Sequence, residues 1–188
     1  MGTILTFSGV SAAGKTRLSK EILAARHNAK MVTSITTRPA RDSDIPGEYR
    51  QVPKEVFDKL CADDVFLWDV EHAGTHYGTP WEAVVLAAEK TDGIGIMILT
   101  PDVMPTLRDF LSSLPFPNVH VPVFLTTPPR EVLIKRIVER KDNMTLMRER
   151  WEQSSNWESD ARASLFPFHF VDNNRPIAET VSEVLGLL

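Results

Sequence analysis

Residues 9 to 16 read Gly9-Val10-Ser11-Ala12-Ala13-Gly14-Lys15-Thr16, an unbroken G-x-x-x-x-G-K-[ST] pattern. This spacing suits the cradling of a polyphosphate. Glycines permit a tight, partly left-handed turn in which successive backbone N–H groups converge on an anion. A helix opening near Lys15 would aim its positive end at the same point. In such a loop the Lys15 ammonium reaches the β- and γ-phosphates, and the Thr16 hydroxyl coordinates Mg²⁺. The expected contacts of a nucleoside triphosphate are therefore Gly9, Ser11, Ala12, Ala13, Gly14, Lys15, Thr16 and Arg17, with Thr16 facing the metal. Out of context the same residues would be a glycine-rich turn.

A second set follows in Ser34-Ile35-Thr36-Thr37-Arg38-Pro39-Ala40-Arg41. Pro39 disfavours a helix here, so two arginines three apart lie on a loop. With Ser34 and the later Tyr49 they could clamp a phosphate dianion through forked, charge-assisted hydrogen bonds. The plainer reading is a solvated charged loop.

Regular elements must hold these loops. Thr3 to Ser8 reads as a buried strand, and Lys15 to His27 as a helix with Leu18, Ile22 and Leu23 at helical spacing. A strand before the phosphate loop and a helix after it are the context that this chemistry requires. Met31 to Ile35 reads as a short strand, and Pro53 opens a short helix. Thr79-Pro80-Trp81-Glu82 has the form of a helix start with Thr79 as cap. Ile94 to Leu99 is apolar at every position but Gly95, as a central parallel strand is. Val119 to Leu125 is another strand, and Pro122 pushes it toward a sheet edge or an irregularity. A helix from Thr127-Pro128 to about Lys141, one from Thr145 to Ser164, a strand Phe168 to Val171 and a helix Ile177 to Leu187 complete the chain. Strands alternating with helices predict an α/β fold, a mainly parallel sheet flanked by helices. Residues 34 to 80 break the alternation and resemble an insertion.

At 188 residues the chain suits one domain with a sizeable core. A net charge of -4 gives no global basic field for nucleic acid, so any phosphate site must be locally basic. Cys61 is the single cysteine, which excludes an intramolecular disulfide and fits a reducing compartment. No apolar run reaches membrane-spanning length, and Met1 to Leu5 lacks signal-peptide character. A cytoplasmic location is expected.

The order of motifs resembles the guanylate kinase family over nearly the whole chain. That family shows S-x-T-T-R-x-x-R, a G-x-x-Y turn and G-N-Y-Y-G-T after the phosphate loop. This chain shows Ser34 to Arg41, then Gly47-Glu48-Tyr49, then Gly74-Thr75-His76-Tyr77-Gly78-Thr79. The resemblance implies a P-loop fold with a core (residues 1–33, 90–130 and 165–188), an inserted monophosphate-binding lobe (about 34–82) and a short lid (about 136–150). It implies an ATP- and Mg²⁺-dependent kinase of a nucleoside monophosphate, GMP or dGMP foremost, without nucleic-acid or membrane partners, as monomer or homodimer. Ser34, Arg38, Arg41, Tyr49 and Tyr77 would then hold the acceptor phosphate, with Thr79 near the base. Lys15 and the lid arginines Arg136, Arg140 and Arg150 would stabilise charge on the transferring phosphoryl group. Val171-Asp172-Asn173-Asn174 resembles the family's V-N-D segment beside the adenine.

Two positions depart from that family. Where it carries the glutamate that reads guanine, aligned on Gly74, this chain has Trp68 in Phe66-Leu67-Trp68-Asp69. Its D-x-D after the central strand is replaced by Leu99-Thr100-Pro101-Asp102. Trp68 is either a core residue or a stacking platform. Asp69 or Glu71 could substitute for the glutamate if the backbone shifts by one residue, and Asp102 could orient Mg²⁺ through water. The departures keep a sugar-phosphate acceptor such as ribose 1,5-bisphosphate open as the alternative, and a non-catalytic protein-binding domain as a weaker one. Glu71-His72-Ala73-Gly74-Thr75-His76 does not make a zinc hydrolase, because the glutamate precedes the first histidine and Gly74 disfavours the helix.

Overall fold

The computed structural model describes residues 1–72, 74–139 and 151–188. Strand β1 (Gly2–Ser8) lies at the centre of a parallel sheet in the order β2-β7-β1-β8-β9. Its neighbours are β2 (Ala29–Met31), β7 (Ile94–Ile98), β8 (Asn118–Leu125) and β9 (His169–Val171). Successive side chains of a strand point to opposite faces. Ile4 therefore enters one apolar cluster with Val84, Met97 and Leu107, while Leu5 and Phe7 enter another with Leu18, Ile22 and Ile96. Helices cover both faces, which is why β7 has no polar alternation and even Thr6 and Ser8 of β1 are buried.

Helices α1 (Lys15–Ala25) and α7 (Ile177–Leu185) pack on the Leu5 face. Helices α3 (Trp81–Glu89) and α4 (Met104–Ser113) pack on the Ile4 face. A single 3₁₀ turn, Pro101–Val103, leads from β7 into α4. The family-like α/β architecture expected from the sequence is the one observed.

Residues 34–80 build a second sheet in the order β4-β3-β6-β5. It contains β3 (Ser34–Thr36), β4 (Tyr49–Gln51), β5 (Phe66–His72) and β6 (Thr75–Pro80), with helix α2 (Lys54–Ala62) between β4 and β5. The expected single strand Met31 to Ile35 is thus two strands. The chain leaves the first sheet after Met31 and joins the second at Ser34.

Thr79 does not cap α3, because it is still within β6 and its hydroxyl is 3.0 Å from that of Ser34. Pro80 occupies the cap position instead. Pro122 lies opposite Thr6 of β1, one residue before β9 begins to pair at Val123. On that flank β8 has no strand neighbour yet, so a missing N–H costs no ladder bond there. Helix α5 spans Arg130–Glu139. The expected helix from Thr145 is interrupted: residues 151–154 are helical, a turn follows, and α6 spans Trp157–Ala163. Arg140, Arg150 and the rest of 140–150 lie outside the described residues.

Candidate active site

The phosphate loop joins β1 to α1. Gly9 has φ of 138° and Gly14 of 106°, conformations that residues with a Cβ rarely adopt. A Cβ on Gly9 would meet the Leu125 carbonyl at 2.6 Å, and one on Gly14 would meet the side-chain amide of Asn173. Gly14 is also the residue before α1, and no side chain caps the first turn. No cap side chain competes with an anion for the start of that helix. Lys15 Nζ donates to the carbonyls of Gly9 at 2.6 Å and Val10 at 2.9 Å, so the ammonium lies over the loop.

Two distant segments brace this loop from behind. Asn173, which follows β9, donates to the Ala13 carbonyl at 2.9 Å. Arg136 of α5 donates to the carbonyls of Ala12 at 3.2 Å, Ala13 at 3.1 Å and Asn173 at 2.9 Å. The resemblance implied an arginine aimed at the transferring phosphoryl group. In this geometry Arg136 lines the cavity but spends its fork on backbone carbonyls, holding the loop in shape. A cavity of about 560 Å³ opens beside it, lined among others by Ser11, Ala12, Gly14, Lys15, Thr16, Arg17, Arg136 and Asn173.

The second sheet supplies the other half. Ser34, Tyr49, Trp68, Val70, His72, Tyr77 and Thr79 all project from one of its faces. The register shows why: Trp68 pairs with Thr79, Val70 with Tyr77 and Ser34 with Tyr49. These residues line a cavity of about 190 Å³ together with Arg38, Arg41, Asp44 and Glu48. Arg38 is only 6% exposed. Its guanidinium pairs with Asp44 at 2.7 Å, donates to the Pro39 carbonyl at 2.9 Å and lies 5.1 Å from the centre of the Tyr49 ring. Burial works against its charge, but the Asp44 carboxylate more than offsets this and holds Arg38 more firmly protonated than usual. Burial also pushes the Tyr49 phenol and the Glu48 carboxyl upward from their ordinary ranges. Glu48 accepts the Ile45 N–H at 3.1 Å. The rings of Tyr49 and Tyr77 meet edge-on at 5.9 Å.

The opposite face of that sheet settles the question of Asp69 and Glu71. The one irregularity in β5 lies between Phe66 and Trp68, before both carboxylates, and the pairing from Trp68 onward is regular. Asp69 and Glu71 consequently point away from the cavity and are exposed. Neither can take the place left by the missing glutamate, because a strand alternates its side chains strictly. Trp68 packs on the Ile4 cluster, as a core residue would, and also lines the cavity. Asp102 is exposed and lines neither cavity, whereas Thr100 lines the acceptor-side one. Among the described residues no cluster of three His, Cys, Asp or Glu could hold a metal.

Several lining residues escaped the sequence reading. Asp44 and Glu48 lie in the 38–49 turn, where composition alone gives no sign of burial. Ser154 and Trp157 reach the cavity from the far side of residues 140–150. Trp157 packs against His72 with ring centres 5.7 Å apart. The adjacent Glu158 accepts the Thr127 N–H at 2.7 Å and two bonds from Arg162 at 3.0 and 2.8 Å. Burial opposes its charge, but the Thr127 and Arg162 bonds outweigh it and hold this carboxyl below its usual range. The period-2 series Trp68, Val70, His72 was the available signal for the strand face; Trp157 had none.

The two cavities share a wall. Ser11, Lys15, Thr16, Arg41 and Ser43 line both. A phosphate loop thus faces an arginine-tyrosine clamp across the same five residues, and the chain matches the guanylate kinase family over residues 1–188. The chain belongs to that family. It is 34% identical over 140 residues to a guanylate kinase of Wolinella succinogenes, covering 74% of this chain and 62% of that relative. That match thus spans less than two thirds of the relative's length. A guanylate kinase of Neisseria meningitidis is 32% identical over 182 residues, covering 95% of this chain and 83% of the relative. The fold is similar to the crystal structure of guanylate kinase from Anaplasma phagocytophilum, with a TM-score of 0.68 and 21% identity, over 99% of this chain and 84% of that one. No described helix is long and apolar enough to cross a membrane.

Proposed function

We infer that the protein transfers the γ-phosphoryl group of ATP to a nucleoside monophosphate, GMP or dGMP foremost. The observation that carries this reading is the shared wall of Ser11, Lys15, Thr16, Arg41 and Ser43 between the two cavities. A donor phosphate in the loop and an acceptor phosphate held by Arg38, Arg41, Tyr49 and Tyr77 would meet there. An acceptor phosphate oxygen attacks the γ-phosphorus, the bond to the β–γ bridging oxygen breaks, and ADP leaves with that oxygen's charge. The acceptor dianion is its own nucleophile, so no protein base is required. Catalysis then rests on positioning and on charge.

Within this reading Lys15 exchanges its loop carbonyls for phosphate oxygens. The left-handed glycines and the uncapped start of α1 fit a polyphosphate, and the Thr16 hydroxyl beside them fits a hard cation. Thr16 would hold Mg²⁺, which would supply positive charge to neutralise the charge that develops on the phosphates. Residues 34–82 serve as the acceptor lobe and 136–150 as the lid, with Arg140 and Arg150 as lid arginines. The protein acts in the cytoplasm as monomer or homodimer.

The far wall argues against the sugar-phosphate alternative. A bisphosphate would place a second phosphate toward Trp68, Val70 and Trp157, where among the described lining residues His72 alone can carry positive charge. An apolar, aromatic wall suits the face of a base instead. The test is ADP release from ATP with each nucleoside monophosphate and with ribose 1,5-bisphosphate, for the wild type and Lys15→Ala. GMP-dependent turnover that Lys15→Ala abolishes is expected. Turnover with the sugar phosphate alone, or undiminished in the variant, overturns the reading.

A further inference from the structure

Among the described residues, the base end of the acceptor cavity contains aromatic rings and hydroxyls but no carboxylate. Its wall is Trp68, Val70 and His72 from β5, with Trp157 of α6 packed on His72 at 5.7 Å. The carboxylates that do line the cavity, Asp44 and Glu48, are both committed at the phosphate end. Asp44 pairs with Arg38, and Glu48 accepts the Ile45 N–H. Besides the His72 imidazole, the polar groups left near the base among the described residues are hydroxyls. Ser34 and Thr79 bond each other at 3.0 Å, and the buried Thr100 hydroxyl has no hydrogen-bond partner among the described residues.

The chemistry of these groups determines what they can distinguish. Guanine presents two adjacent donors, N1–H and the 2-amino group, which a fixed carboxylate would select. A hydroxyl rotates and serves as donor or acceptor. Stacking is tolerant of base identity, because every base has a π-face. Strong rejection of an analogue needs a buried group that the analogue leaves unpaired. A Thr hydroxyl already paired with Ser34 loses little when one ligand donor is missing.

We propose that Trp68, His72 and Trp157 form a stacking slot for the acceptor's base, read at its edge by neutral hydroxyls and by no carboxylate of the described residues, so that the site takes purine monophosphates with and without the 2-amino group almost alike. This rests on the nucleoside monophosphate reading above.

The test compares kcat/KM for GMP and IMP, which differ only in the 2-amino group, at saturating ATP. A ratio within about tenfold is expected, the effect of one neutral hydrogen bond. Trp157→Ala should raise KM for both acceptors in parallel, by about 5- to 150-fold, the range for one base stacked on one ring. Trp68 also packs on the core, so Trp68→Phe is the variant at that position, and ADP affinity checks that the fold is intact. A GMP preference above tenfold, or an unchanged KM in Trp157→Ala, overturns the slot while leaving nucleoside monophosphate kinase activity standing. If ADP binds but no monophosphate is phosphorylated, the underlying reading fails and the slot with it.

Discussion

Asp44 holds Arg38 by a 2.7 Å ion pair and at the same time accepts the Arg41 backbone N–H at 2.9 Å. One carboxylate thus sets both arginines of the proposed acceptor clamp. Arg38 is buried, and a buried guanidinium without its partner is costly. The pair therefore keeps a positive charge in place before any phosphate arrives.

Asp44→Asn should loosen this clamp without touching the donor side. Acceptor KM is expected to rise about 10- to 100-fold, the loss of one charge-assisted bond of ~1.5–3 kcal/mol. The KM for ATP should stay within about twofold. Steady-state kinetics with each substrate varied in turn decides this; an unchanged acceptor KM would show that Asp44 is only a surface partner.

Arg136 reaches three carbonyls at once, on Ala12, Ala13 and Asn173. Arg136→Ala should weaken nucleotide binding by roughly tenfold or more, because the loop loses charge-assisted bonds that fix its shape. Arg136→Lys should rescue only part of this, since a point charge cannot span the three acceptors. Calorimetric ADP binding reads the effect directly. Full rescue by lysine would mean that charge alone matters at this position.

Gly14→Ala tests the left-handed loop. At φ of 106° an alanine is strained, and its Cβ would press on the Asn173 amide. A destabilisation of about 1–3 kcal/mol is expected. ADP binding should fall with it, because the converging N–H groups are displaced. Urea unfolding and ADP titration of the variant are the measurements. Unchanged values in both would remove the glycine from the proposed loop mechanism.

His120 gives a pH prediction far from the site. Burial, and then the nearby Arg108 charge, lower its pKa from 6.5 to about 4. Its Nε2 lies 3.0 Å from the Thr6 hydroxyl. The unfolded chain therefore takes up this proton at a higher pH than the folded protein does. The contribution is fully present above about pH 6.5 and is lost as pH falls toward about 4. It amounts to about 2–3 kcal/mol, allowing for partial solvent contact. Unfolding midpoints of wild type and His120→Gln, measured from pH 7 to pH 4, should converge by that much. Parallel curves would contradict the assignment.

Local rules carried much of this protein. The phosphate loop was legible because its chemistry is made by consecutive backbone groups, so order and spacing in the chain are the site itself. The central strand Ile94–Ile98 was legible because burial on both faces erases polar alternation. The arginine pair was legible for its type and loop context, and the motif order pointed to the family that the comparisons show.

What depended on the tertiary structure was set by distant contacts. The chain switches sheets between Met31 and Ser34, and no local preference separates those two short strands. Asp69 and Glu71 were chemically suited to replace the missing glutamate; the regular β5–β6 register turns them outward and Trp68 inward. The Arg136 contacts with the distant carbonyls of Ala12, Ala13 and Asn173 were not legible in the sequence, because they depend on how α5 packs against the loop. Trp157 joins the acceptor cavity only because α6 folds back against β5. Sequence alone pointed to a polyphosphate and to the loop proposed to hold it, since that site is continuous in the chain. The three-dimensional fold decided what faces it, since the acceptor wall gathers side chains whose meeting depends on register and packing.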